Sequence, residues 1–406
     1  MRQSLFDARL ASMALRAMTD QAADQPQRHD ATWEMAMEQA RNTNSSRLAS
    51  LDLLRLVAAL AVVAFHYLFR GPIAGDVDVG YAAAAPFAIY GYLGVSLFFL
   101  ISGFVIAWSA EGRTWQEFAV ARFVRLYPGF LVCMTVTFVV LSVANDPRFP
   151  TNVSTYAANL SMFARAFRRP SMDGVYWSIM LEIVFYGWIA LLILAGAFQR
   201  WKLAIVAIWL AVSAANEFSL GSSAIRILLI TGYAPFFAFG ILSQQIVAKG
   251  RSPMALILLA MAFLLSCQTI RFDQGWMQEH YGASIPYPAL FVANGLVFGI
   301  FAGAILIRSM VAPSKIVLML GGLTYPLYLL HQYIGYISLN ALTPLVGKNA
   351  AFFLVVATAL LASFVIWRFI ESPIRKPLIR ALLSGMDRIS PIGSASARTN
   401  SRVAPT

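Results

Sequence analysis

Apolar runs long enough to cross about 30 Å of hydrocarbon recur along the whole chain, broken by short polar and basic stretches. They fall near 51–69, 86–109, 127–144, 175–196, 202–216, 225–247, 254–270, 288–309, 315–338 and 350–371, with 202–216 the shortest. The pattern predicts an all-α, polytopic membrane protein of about ten transmembrane helices. Basic residues mark alternate ends of these runs: Arg113, Arg122 and Arg125; Arg200 and Lys202; Lys249 and Arg251; Arg308 and Lys315; Arg375, Lys376 and Arg380. Positively charged ends stay in the cytoplasm, which predicts both termini there. One connection opposes this. The stretch 145–174 carries Arg148, Arg165, Arg168 and Arg169, yet the topology puts it outside.

The first run is interrupted in an informative way. Leu51 to Phe69 holds Arg55 and His66 among apolar neighbours. An ionisable group inside a span costs roughly 2.5–3.5 kcal/mol, so it marks a site by default. Eleven residues at 100° each make three turns plus about 20°, so both side chains share a face, roughly 16 Å apart along the axis. Asp52 lies close to the same line. Such a stripe faces other helices or a wet cavity, and predicts an intramembrane chamber. The alternative for His66 alone is a hydrogen bond between packed helices.

Composition agrees. Of 406 residues, 59% are hydrophobic and 12% charged, where soluble domains carry about a quarter charged. The net charge of +12 sits at the ends of apolar runs, which fits membrane orientation and not a nucleic-acid partner. Two cysteines, Cys133 and Cys267, exclude a disulfide framework, and no metal-ligand spacing is present. Residues 1–50 lack the pattern of a signal peptide and read as a poorly structured cytoplasmic extension ahead of a membrane domain at 51–380. Residues 381–406 read as a disordered cytoplasmic tail.

Further ionisable groups join the first pair. Ser178, Glu182 and Tyr186 follow at i+4 on the fourth run, and His331 lies near the outer end of the ninth, with Tyr325 and Tyr328 below it. Counted from the predicted outer edge, His66, Glu182 and His331 fall at one depth. The alternatives are a buried arginine partner for Glu182 and an interfacial hydrogen bond for His331. A neutral histidine there can take a proton from a hydroxyl, with a carboxylate or second histidine holding its tautomer, which describes acyl transfer to an alcohol. No serine elbow accompanies it, so transfer is direct from an activated donor or passes through another residue. Arg122 and Arg125, at i+3 in a cytoplasmic segment, suit phosphates; ordinary inside-loop charge is the alternative. Gly91, Gly94 and Gly103 suit close helix packing.

Taken in order, Leu51-Asp52-Leu53-Leu54-Arg55 with His66, Phe98 to Phe104, Arg122 to Pro128, Trp177-Ser178 with Glu182, Tyr325 to His331 and Phe369 to Pro373 resemble the motifs of acyltransferase family 3. The resemblance runs from about residue 48 to 380. It implies a bacterial inner-membrane O-acyltransferase that takes an acyl group, most often acetyl, from cytoplasmic acyl-CoA. The implied acceptor is a hydroxyl of an extracytoplasmic glycan or lipid-linked glycan, with glycan biosynthesis or export proteins as partners. Arg55 and His66 map onto the family's essential pair; Ser102, Arg122, Arg125, Glu182 and Tyr325 fall at other motif positions, here expected to hold the donor or assist. A proton-coupled secondary transporter is the main rival. It would use the same ionisable groups as a relay, but no internal repeat supports it. A scaffold subunit gives no reason for Arg55 and His66 to share a face.

Overall fold

The computed structural model describes residues 49–389, and every regular element among them is helical. The predicted extension before residue 49 and the end of the predicted tail lie outside those residues. Helix α1 (Ala49–Ile73) is followed by α2 (Ala85–Ser109), α3 (Trp115–Ala144), the short α4 (Val153–Asn159) and α5 (Tyr176–Leu194). Then come α6 (Ala197–Leu220), the short α7 (Ser223–Leu228), α8 (Ala234–Lys249), α9 (Pro253–Tyr281) and α10 (Tyr287–Leu306). Helices α11 (Lys315–Leu330), α12 (Gln332–Val346) and α13 (Lys348–Met386) complete the described chain. By length and composition 8 of these can cross a membrane: α1, α2, α3, α5, α6, α9, α10 and α13.

The two other predicted runs are helical but broken. The stretch 225–247 divides into α7 and α8, with Ile230 at a φ of 55° between them. The carbonyls left open at the end of α7 are capped by indoles: Trp188 donates to Leu228 and Trp209 to Leu229. The stretch 315–338 divides at His331, which ends α11 and begins α12.

Helix α3 starts well before the predicted 127. Thr114 and Glu117 form a capping box, the Thr114 hydroxyl accepting from the Glu117 N–H while the Glu117 carboxylate accepts from the Thr114 N–H. The segment with Arg122 and Arg125, expected as a cytoplasmic connection, is therefore the first half of a 30-residue helix. At the other end of the chain helix continues to Ile389, because the amphipathic pattern of Ser372–Ile389 persists through residues assigned to the tail.

Two apolar clusters form the interior. One is built mainly from α2, α6, α8, α9 and α10, the other mainly from α3, α11, α12 and α13. Helices α1 and α5 contribute to both and form the seam. Small residues set the spacing within the first cluster. A Cβ on Gly103 would sit 2.1 Å from the Phe237 carbonyl oxygen, and one on Gly240 2.2 Å from that of Leu100. Gly94 and Gly91 press likewise on Ala58 and Ala61, which fixes α2 antiparallel to α1 and bears out their packing role.

Candidate active site

A cavity of about 110 Å³ opens along the seam, room for several waters or a short acyl chain. Arg55, Ser102, Arg122, Arg125, Ser178, Glu182, Tyr186, Tyr325 and Tyr328 all line it. The shared helix positions read from the sequence explain why. Arg122 and Arg125 occupy one face of α3, and Ser178, Glu182 and Tyr186 one face of α5.

Most of the charge in this cavity is already partnered. Arg55 donates to Asp52 at 2.8 Å, one turn away on α1. Arg125 pairs with Glu371 of α13 at 3.2 Å and lies 5.4 Å over the Tyr325 ring. The Glu182 carboxylate accepts from Ser102 at 2.7 Å and from the Tyr186 hydroxyl. Arg122 is the exception. Its guanidinium sits 6.0 Å over the Tyr186 ring, and its buried Nε has no hydrogen-bond partner. Tyr325 spends its hydroxyl on the Leu126 carbonyl at 2.9 Å, tying α11 to α3 just before Pro128.

His66 and His331 form a separate pair. They stand 265 residues apart in the chain, yet His66 Nδ1 and His331 Nε2 are 3.1 Å from each other, and both residues are buried. Carbonyl oxygens assign the protons. His331 Nδ1 lies 2.8 Å from the Tyr328 carbonyl and 3.2 Å from that of Leu327, and a carbonyl can only accept. His331 therefore carries its proton on Nδ1 and offers a lone pair at Nε2. His66 Nδ1 faces that lone pair and, at 2.9 Å, the Val62 carbonyl. So Nδ1–H of His66 donates, and its Nε2 is the nitrogen left free to accept a proton. His66 also begins a π-helical turn, His66–Arg70, a local widening that recurs at functional sites.

The structure brings His66 and His331 together and places Glu182 elsewhere. Gly94 lies against Ala58, so eight residues toward Ser102 on α2 and eight toward His66 on α1 run in opposite directions, about 24 Å along the axes. Glu182, bonded to Ser102, belongs with the arginines. The common depth counted for His66, Glu182 and His331 fails because α5 does not begin at the outer edge. Its first residue, Tyr176, packs on Phe130 with ring centroids 5.0 Å apart, fourteen residues, or about 20 Å, short of the end of α3. Tyr328 connects the two regions. It lines the cavity, hydrogen-bonds Ser178 at 2.7 Å, and packs on His331 with ring centroids 5.6 Å apart.

Three further polar residues carry the site and were not picked from the sequence. Glu371 sits inside a quoted motif but shows its role only beside Arg125. Asp173 is fully buried in the connection before α5; its carboxylate accepts from the N–H groups of Val175 at 3.1 Å and Tyr333 at 2.9 Å, pinning the start of α12 beside His331. Burial pushes that carboxyl up to about 7, against the pull of the two N–H donors. Arg70, one turn beyond His66, bonds Asp76 at 2.9 Å and Tyr281 and Tyr336 at 3.1 Å each. The charge in the connection 145–174 is also explained in part: Arg148 is balanced by Asp146 and Asp78.

A multi-pass helical membrane protein with a buried histidine pair above an arginine-lined cavity has the parts of an intramembrane group-transfer enzyme. Comparison with known proteins gives the class directly. The family model for acyltransferase family 3, described as an acyltransferase domain, matches residues 48–368, and the chain belongs to that family. It is similar to the peptidoglycan O-acetyltransferase OatA of Listeria monocytogenes, 26% identical over 389 residues, covering 83% of this chain and 57% of that protein. It is also similar to the acyltransferase MdmB of Streptomyces mycarofaciens, 33% identical over 153 residues, covering 34% of this chain and 38% of the relative. The chain thus spans about half the length, or less, of these curated relatives. No solved structure matches it. The described residues form a multi-pass helical membrane protein of that family.

Proposed function

We propose that this acyltransferase moves an acyl group, in the first place acetyl, from cytoplasmic acyl-CoA to a hydroxyl of a glycan or lipid-linked glycan outside a bacterial inner membrane. The observation that carries the reading is the ordered histidine pair. His66 Nε2 takes the proton of the acceptor hydroxyl as its oxygen attacks the thioester carbonyl. The bond from carbonyl carbon to sulfur breaks, and the coenzyme leaves as a thiolate that recovers the proton from the His66 imidazolium. His331 Nε2 and the Val62 carbonyl both accept from His66 Nδ1–H, so they hold the ring and stabilise its charged form. Arg122 and Arg125 would grip the donor phosphates, with Arg55 beside the acyl arm in the cavity. Glu182 then acts by holding Ser102 and Tyr186 and by countering Arg122. Tyr328 is the barrier the acyl group must pass. The glycan acceptor is supported by the name of the OatA relative, and export or biosynthesis proteins would bring it to the outer face.

The test measures ester-linked acyl groups on surface glycans from cells carrying the wild-type chain, His66→Ala or neither. Esters in the first sample alone are expected. Equal esters in the first two, above the third, would remove His66 as the base.

A further inference from the structure

The arginine end of the cavity holds more positive charge than one diphosphate requires, and the excess is arranged by depth. Arg55, Arg122 and Arg125 line the cavity wall. Arg113, just before α3, and Arg375, on α13, are exposed. Arg375 follows Glu371 by one turn of helix, and this part of α13 packs against α3. Glu371 bonds Arg125 at 3.2 Å, which brings Arg375, one turn further on, to the arginine end of α3. Of the five arginines, Arg55 and Arg125 are bonded to carboxylates, Asp52 and Glu371, and Glu182 lines the cavity with Arg122. Like charges are held together at this end while Arg122 Nε has no partner and one oxygen of Glu371, in the space left by Gly129, has none either. Such a cluster is stabilised by an anion carrying more than one phosphate.

Acyl-CoA, the donor proposed above, carries its phosphates in a fixed order from the thioester: first the diphosphate, then, on the ribose, a phosphomonoester at the 3′ position. With the acyl end directed into the cavity, the diphosphate meets the inner arginines and the 3′-phosphate meets the outer ones. We infer that Arg375, with Arg113, binds the 3′-phosphate of the donor, separately from the diphosphate at Arg122 and Arg125. Arg375 thereby makes the site selective for coenzyme A over its 3′-dephospho form. The inference rests on the acyl-CoA reading and goes beyond it.

The experiment measures the dissociation constants of coenzyme A and 3′-dephospho-coenzyme A on the full chain in lipid nanodiscs, for wild type, Arg375→Ala and Arg375→Lys. Wild type should bind coenzyme A about ten-fold or more tightly than the dephospho form. Arg375→Ala should weaken coenzyme A alone, bringing the two constants together, and Arg375→Lys should restore part of the difference. Equal binding of both ligands by wild type, or equal weakening of both by Arg375→Ala, would overturn the assignment. Absence of binding of either ligand to wild type would instead bring down the acyl-CoA reading, and this assignment with it. Arg375 is exposed, so loss of fold is not expected; thermal unfolding of each variant checks this.

Discussion

The two ends of the site use charge in opposite ways. At the arginine end, Arg55 and Arg125 meet carboxylates in pairs while Arg122 keeps an unpartnered Nε, and the geometry suits holding a multiply charged ligand in place. At the histidine end, two neutral rings are fixed by backbone carbonyls, and one nitrogen is left with a free lone pair. Ion pairs give grip, because each retains its charge; ordered imidazoles give proton transfer, because one can gain a charge that the other stabilises. On the proposed function, the difference teaches that a single polar stripe on α1, with Arg55 at one end and His66 at the other, would serve two separate tasks.

The largest expected effect sharpens this division. His66→Ala should lower the transfer rate by roughly 10²–10⁴-fold with the donor requirement nearly unchanged, read as kcat and donor KM in membrane vesicles. His331→Ala should lower kcat less, by roughly one to two orders of magnitude, because the base and its Val62 contact remain but the imidazolium loses one of its two acceptors. Glu182→Gln is the control. If it lowers kcat as far as His331→Ala without touching donor KM, the two ends are not separate. Arg122→Ala combined with Arg125→Ala should act on the other parameter, raising donor KM at least about ten-fold, since each charge-assisted hydrogen bond is worth about 1.5–3 kcal/mol. An unchanged donor KM would remove the phosphate grip.

The smallest effect concerns stability beside the histidines. Between the ordinary carboxyl value of 3.8 and about 7, folded Asp173 keeps a proton that the unfolded chain has lost. Stability therefore falls as pH rises through that window and levels off above it. Asp173→Asn should flatten this slope in thermal unfolding of the detergent-solubilised protein. A slope identical in both would show that Asp173 titrates normally.

Much of each end was legible in the sequence because it depends on spacing within one helix. The 100° rule placed Arg55 beside Asp52, Arg122 with Arg125, and Glu182 with Tyr186, and each set meets in the structure as a pair or on one cavity wall. The partners between helices were not legible. Nothing in the spacing of Glu371 announces Arg125, and Asp173 looks like an ordinary residue of a polar connection. The depth of Glu182 differs from the count along its run for a physical reason: Tyr176, at the start of α5, packs on Phe130 well inside α3, so that start does not mark the membrane edge.

By itself the sequence determined that the chain is a bundle of apolar helices, that ionisable groups occur within them, and which of those groups share a helix face. These follow from the cost of burying charge in hydrocarbon and from a fixed helical pitch, both local properties. Only the tertiary structure decided that His331 meets His66, that Glu182 joins the arginines, and that α13 returns Glu371 to Arg125. Those outcomes depend on which helix faces which and at what relative height. That register is set by close contacts such as Gly94 on Ala58 and Gly103 on Phe237, between residues far apart in the chain.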